Sequence, residues 1–233
     1  MTVKNLKRHL FIAGTDTGVG KTLVTGLFAR YYSDKGYRVV TQKCVETGSG
    51  SSRADIEEHS RISRVDNSPS VGRKTDRVPY SFRDPVSPHL ASRKENRKIS
   101  IPRILGAFER LTEQYEIVIV EGAGGVMVPI NSRELMLDII KAMSISVVVV
   151  ASNRLGAINH TLLTVRQLKS EGLNVTGIVF NNVERGGRKD ILRDNPLTVK
   201  AFTGTNILAN IPFSNDIDKL YGVFRKDLEE RIL

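Results

Sequence analysis

Gly14-Thr-Asp-Thr-Gly18-Val-Gly20-Lys21-Thr22 decides the reading of this chain. An apolar run, residues 9–13 (HLFIA), precedes it. A helical pattern follows it, with Leu23, Val24, Leu27, Phe28 and Tyr31 on one face and Gly36 as a C-terminal stop. Strand, glycine-rich turn and helix in that order are the context of a phosphate-binding loop. Backbone N–H groups and the positive end of the helix there face an anion. In such a loop Lys21 reaches the β- and γ-phosphates and the Thr22 hydroxyl ligates Mg²⁺. The first glycine, Gly14, stands one residue further from Gly20 than the strict spacing asks. The motif points to a nucleotide and leaves the reaction open.

Outward from the loop, the pattern alternates strand and helix. Residues 37–42, 117–120 (IVIV), 146–151 (SVVVVA), 175–180 (VTGIVF) and 207–211 read as further strands. Those at 117–120, 146–151 and 175–180 are continuously apolar rather than alternating, as expected when helices cover both faces of a parallel sheet. Residues 101–115, 133–143, 157–171 and 216–232 fit crossover helices, and a short helix is expected near 55–64. The expected fold class is α/β, a single doubly wound, mainly parallel sheet of P-loop NTPase type flanked by helices, with residues 1–233 as one domain.

The 233 residues carry 35 Lys+Arg against 25 Asp+Glu, a net charge of +10, so a nucleic-acid partner has to be weighed. The basic groups are spread over Lys4/Lys7/Arg8, Arg73/Lys74/Arg77, Arg93/Lys94/Arg97/Lys98 and Arg185/Arg188/Lys189/Arg193. They form no block of five or six like charges, and aromatics are only 6%. A solvated surface or a preference for small anions is the better reading. One cysteine allows no intramolecular disulfide. No apolar run approaches the ~18 residues of a membrane span, and the N-terminus has no secretory apolar segment. A soluble, cytoplasmic protein is expected, with no nucleic-acid or membrane partner.

Five stretches together resemble the dethiobiotin synthetase family, the ATP-dependent ring-closing enzymes of biotin biosynthesis. They are GTDTGVGKT at 14–22, KCVETG at 43–48, PYSFRDPVSPH at 79–89, EGAGG at 121–125 with Val128-Pro129, and LGAINHTLLT at 155–164 with Asn181-Asn182. Arg53-Ala-Asp55 adds a shorter match. Cys44 stands where the family pattern has proline, whose ring would stiffen the turn.

The resemblance implies a reaction. One amine of 7,8-diaminononanoate takes up CO₂ as a carbamate, whose oxygen attacks the γ-phosphate of ATP. The second amine then closes the ring on the carbamic-phosphoric anhydride. By the same resemblance, Thr17, Gly18, Val19, Gly20, Lys21, Thr22 and Leu23 hold ATP. Asp55, Glu121, Gly122, Ala123, Gly124, Asn181, Asn182 and Pro212 complete its site. Thr22, Asp55 and Glu121 are the hard oxygen ligands expected for Mg²⁺. Lys43 and Lys21 are the expected catalytic cations, since phosphoryl transfer needs positioning and charge neutralisation. Thr47 and Gly125 are expected to meet the diamine. Gly156, Ala157, Ile158 and Asn159 open a helix suited to its carboxylate tail, at the interface of a homodimer. His89 is expected to be structural.

The main rival is a ParA/MinD-like P-loop ATPase acting on DNA or a protein. Its loop would carry an extra N-terminal lysine, and Asp16 stands there instead. A glutaminase-bearing amidoligase needs a further domain for which the length leaves no room. A serine hydrolase would need G-x-S-x-G, which does not occur.

Overall fold

A computed structural model of the chain describes residues 8–48, 54–65 and 74–232. Arg53, Lys4, Lys7 and Arg73 lie outside the described residues.

In chain order the elements are β1 (Leu10–Gly14), α1 (Lys21–Asp34), β2 (Val39–Lys43), β3 (Glu46–Thr47), α2 (Ala54–Ser63), α3 (Lys74–Arg77), β4 (Ser81–Phe82), α4 (Pro88–Lys94) and α5 (Ile101–Gln114). They continue as β5 (Ile117–Gly125), α6 (Met136–Met143), β6 (Ser146–Ser152), α7 (Ala157–Ser170), β7 (Val175–Asn181), α8 (Lys189–Thr203), β8 (Ile207–Ile211) and α9 (Ile217–Ile232). Six strands form one sheet in the order β2-β5-β1-β6-β7-β8, and every pairing in it is parallel. β3 and β4 pair separately, also in parallel.

The unbroken apolar strands are explained by a core on each face. Successive side chains of a strand point to opposite sides. Phe11, Val118, Val120, Val147 and Val149 therefore pack with Ile104, Phe108 and Leu111 of α5 and Val165 and Leu168 of α7. Leu10, Ile12, Ile117, Ile119 and Val148 pack on the other side with Val24, Leu27 and Phe28 of α1 and Leu220, Phe224 and Leu228 of α9. Each fully buried Val, Ile, Leu or Phe contributes on the order of 1.5–3 kcal/mol.

The expected strands and long crossover helices are present, with bounds shifted by a few residues. The strand expected at 117–120 runs on to Gly125, carrying Glu121 inside the sheet. Helix α8 lay in no sequence expectation. Pro196 sits within it, and its buried Asn195 donates to Asn153 Oδ1 at 2.8 Å and to the Arg154 carbonyl at 3.0 Å. A proline and a docking amide at inward positions break the apolar period that would reveal a helix.

The sheet order also places the site. Moving outward from β1, the chain runs to β5 and β2 on one side and to β6, β7 and β8 on the other. The carboxyl end of a strand at such a reversal opens onto a crevice. β1 delivers the glycine-rich loop there.

Candidate active site

The loop from β1 wraps back on itself before α1 begins. Lys21, the first residue of α1, is buried and donates from Nζ to the Asp16 carbonyl oxygen at 2.9 Å. A methyl group at Gly14 would stand 2.8 Å from that Nζ, so the first glycine leaves room for the lysine to fold across it. At Gly20 the backbone turns left-handed, with φ +96°, a conformation that favours glycine. A Cβ at Gly20 would also lie 2.1 Å from Asn181 Nδ2. Asn181 is buried at the end of β7, and its amide donates to the Val19 carbonyl at 3.0 Å.

Parallel register brings the charged groups together. Lys43 and Glu121 are partners across β2 and β5, so their side chains leave the sheet on the same side. Lys43 Nζ lies 2.6 Å from Glu121 Oε1 and 2.8 Å from Asp55 Oδ2, and donates to the Gly122 carbonyl at 3.2 Å. The Thr22 hydroxyl stands 3.1 Å from Glu121 Oε1 and 3.2 Å from Asp55 Oδ1. Glu121 is 1% exposed. Its remaining oxygen, Oε2, meets His59 Nε2 at 2.6 Å.

Burial works against every charge here, and neighbours decide the outcome. For Lys43 burial favours the neutral amine, but the Glu121 and Asp55 carboxylates outweigh it and hold the ammonium above its usual range. For Glu121 burial favours the neutral acid, and Lys43 with the His59 hydrogen bond outweighs it, holding the carboxyl well below the usual range. Lys21 lacks so close a carboxylate. Burial, helped by the nearby Lys43 charge, brings it down to about 8. Lys43 is thus a fixed cation rather than a base, and Lys21 is the cation that gains most from an incoming polyphosphate.

A cleft of about 540 Å³ opens over these groups. It is lined by Thr17, Gly18, Gly20, Lys21 and Thr22 of the loop, and by Lys43, Thr47, Asp55, Glu121, Ala123 and Gly124. Several expected residues stand elsewhere. Val19 is buried in the core and Leu23 packs against it, so their side chains are turned from the cleft. A side chain at Gly122 would face Phe11 and Met136 in the core, and one at Gly125 would face the Thr15 and Gly14 carbonyls. Asn182 donates its backbone N–H to the Ile211 carbonyl at 2.9 Å, beside the half-buried Pro212. Gly156, Ala157, Ile158 and Asn159 open α7 and line no part of this cleft in a single chain.

Sequence reasoning assigned no role to Val45, Pro85, Val86, Ser87, Pro88 or Val128, which complete the wall. The resemblance motif at 79–89 held the signal for four of them. It also missed His59, whose signal was its spacing of four from Asp55 on one helix. His89, expected to be structural, meets Ser87 Oγ through Nδ1 at 3.0 Å.

Cys44 is fully buried between Lys43 and Val45. Its N–H and its Sγ both lie 3.2 Å from the Glu121 carbonyl oxygen. A proline has no N–H to donate, so this chain gains a tether on Glu121 that the proline pattern lacks. Burial pushes the thiol up to about 12. Alkylation of the native protein with iodoacetamide at pH 8 is therefore expected to be negligible, becoming complete once the chain is denatured. Rapid labelling of native Cys44 would contradict its placement.

Thr22, Asp55 and Glu121 supply one hydroxyl and two carboxylates, a hard oxygen set that suits Mg²⁺ completed by phosphate and water. The loop, with its glycines and buried Lys21, suits a polyphosphate. Asn182 Oδ1 is buried without a hydrogen-bond partner among the described residues, an acceptor open to a donor such as a base amino group.

Comparison with known proteins matches residues 8–220 to a family described as an AAA domain. An ATP-dependent dethiobiotin synthetase BioD from Chlorobaculum tepidum is 41% identical over 74% of this chain and 72% of its own length. Another, from Clostridium perfringens, is 34% identical over 92% of this chain and 94% of its own length. A third, from Methanococcus vannielii, is 33% identical over 89% and 94%. Among solved structures, the septum site-determining protein MinD with Mg-ADP from Pyrococcus horikoshii aligns with a TM-score of 0.60 at 17% identity, covering 96% of this chain and 95% of that one. That likeness concerns the fold alone.

Proposed function

The chain belongs to the family of ATP-dependent dethiobiotin synthetases, and on that premise we propose that its cleft converts 7,8-diaminononanoate, CO₂ and ATP to dethiobiotin, ADP and phosphate. The observation that carries this reading is the meeting of Lys21, Lys43, Thr22, Asp55 and Glu121 in one cleft beneath a glycine-rich loop. These are the groups that a transfer from ATP to a carbamate requires.

The two buried lysines divide the electrostatic task. Lys21 faces the β- and γ-phosphates. Lys43, permanently cationic, faces the carbamate oxygen and then the phosphoryl group it receives, so that charge developing in the transition state meets a fixed cation. Lys43, held as an ammonium between two carboxylates, takes up no proton and is not the base for CO₂ capture or ring closure. Thr22, Asp55 and Glu121 would hold Mg²⁺, which when bound neutralises charge on the phosphate oxygens. Thr47, at the end of β3, offers a hydroxyl to the carbamate or an amine. Asn181 and Asn182 are assigned to the base, with Asn182 Oδ1, unpartnered among the described residues, as its acceptor and Pro212 beside them.

The carboxylate tail of the diamine is assigned to the start of α7. There Gly156, at φ +88°, leaves the first N–H groups of the helix without a side-chain cap. Because residues 156–159 do not line the cleft, a second copy of the chain would complete that subsite, and we take the working unit to be a homodimer. Leu155, just before this helix, and Leu163, on its second turn, are 79% and 60% exposed and suit such a contact.

The function is tested by ADP release from the purified chain in bicarbonate, with and without 7,8-diaminononanoate. Release that depends on the diamine is expected. Release indifferent to the diamine and stimulated by DNA would favour a MinD-like ATPase instead.

A further inference from the structure

Helix α2 reaches both carboxylates of the site, one directly and one through a residue that no step so far uses. Asp55, near its start, presents its own oxygens to Thr22 and Lys43. One turn later, His59 is completely buried and lies 2.6 Å from Glu121 Oε2. The helix start itself is held by Glu46, whose Oε1 accepts the Asp55 N–H at 2.9 Å.

We infer that His59 is a positioning residue for the metal site: its Nε2–H fixes one oxygen of Glu121 so that the other is aimed at the Thr22 hydroxyl. A carboxylate can turn about its last bond, and only one orientation places Oε1 between Lys43 and Thr22. The tautomer follows from the surroundings. His59 Nδ1 is buried without a hydrogen-bond partner among the described residues, so a proton there would be an orphaned donor. Nε2 faces a carboxylate oxygen, which can only accept, so the proton of this hydrogen bond sits on Nε2 and the ring donates it to Glu121. Histidine and carboxylate here exchange the roles familiar from zinc sites, where the carboxylate orients the histidine.

The inference rests on Glu121 being a metal ligand, so the experiment separates the two. Mn²⁺ affinity in the presence of ADP is measured for the wild type, His59→Leu, His59→Gln and Glu121→Gln. Loss of an outer hydrogen bond of this kind typically costs about 10–100-fold in metal affinity. His59→Leu should fall in that range, with ADP binding in EDTA unchanged. His59→Gln, which returns an N–H near the same point, should recover most of the affinity. In turnover, His59→Leu should raise the Mg²⁺ concentration for half-maximal rate while largely keeping kcat at saturating Mg²⁺. A merely structural histidine would lower the melting temperature and leave that concentration alone.

Equal Mn²⁺ affinity in His59→Leu and the wild type, with Glu121→Gln impaired, overturns the role of His59 and spares the metal reading. Unimpaired Glu121→Gln overturns both. Equal loss in His59→Leu and His59→Gln also overturns the hydrogen-bond role. Should His59→Leu fail to fold, ¹⁵N NMR of the wild-type imidazole with Mg-ADP bound decides. The Nε2–H tautomer is expected, and the Nδ1–H tautomer overturns the inference.

Discussion

Replacing Lys43 with glutamine is expected to lower kcat by about two to three orders of magnitude, the loss typical when one preorganised donor to a developing charge is removed. KM for ATP should change far less, because Lys21 and the loop still bind the phosphates. The same substitution acts on the fold. Lys43 lies between two carboxylates, and Glu121 is 1% exposed. Removing one partner of a buried ion pair costs about 3–5 kcal/mol, since the remaining charge stays in a medium that solvates it poorly. A urea midpoint measured alongside kcat separates the two effects. Adding Glu121→Gln to Lys43→Gln should return part of the lost stability, because it removes the uncompensated carboxylate, and none of the lost turnover. Full turnover in Lys43→Gln would leave this lysine structural only.

The second large effect is expected at Gly20. Alanine there must adopt φ +96°, at a cost of roughly 1–2 kcal/mol for an L-residue. Its methyl would also sit 2.1 Å from Asn181 Nδ2, an amide held by the Val19 carbonyl. Loop or asparagine must move, and misplacement of about 1 Å at such a site can cost ~100-fold. Inorganic triphosphate is the suitable probe, because it carries no base for Asn181 to meet. Gly20→Ala should weaken its binding by about that factor. Gly20→Ala with Asn181→Ala should recover the part due to the clash and keep the part due to φ. An unchanged triphosphate affinity in Gly20→Ala would mean that the loop is not the phosphate site.

Much of this arrangement was legible in the chain itself. The loop at 14–22 announced strand, turn and helix in turn, and the apolar strands announced a sheet covered on both faces. A sequence pattern alone does not say which strands are neighbours. The meeting of Lys43 and Glu121 depends on β2 lying beside β5 in a register that pairs those two residues, 78 positions apart. Resemblance assigned both residues to one site, and the register explains how they meet there. Elements of two to four residues, such as β3, β4 and α3, are too short to show a period, so the cleft wall at 85–88 was marked by the resemblance motif and by no periodicity. His59 was hidden for another reason. Its spacing of four from Asp55 put it on the same helix face, but only the approach of α2 to β5 shows that it is buried and a partner of Glu121. Cys44 shows the reverse case. A departure from the family pattern became interpretable once its N–H was seen to reach the Glu121 carbonyl.

The most direct measurement of the central claim follows carbon and nucleotide in one reaction. The purified chain is incubated with ATP, Mg²⁺, 7,8-diaminononanoate and ¹³C-bicarbonate, and dethiobiotin and ADP are quantified together by mass spectrometry. The expected result is dethiobiotin labelled at its ureido carbonyl, in equal amount to ADP, with both products absent when the diamine is omitted. ADP formed without labelled dethiobiotin, at a rate that ignores the diamine, would contradict it.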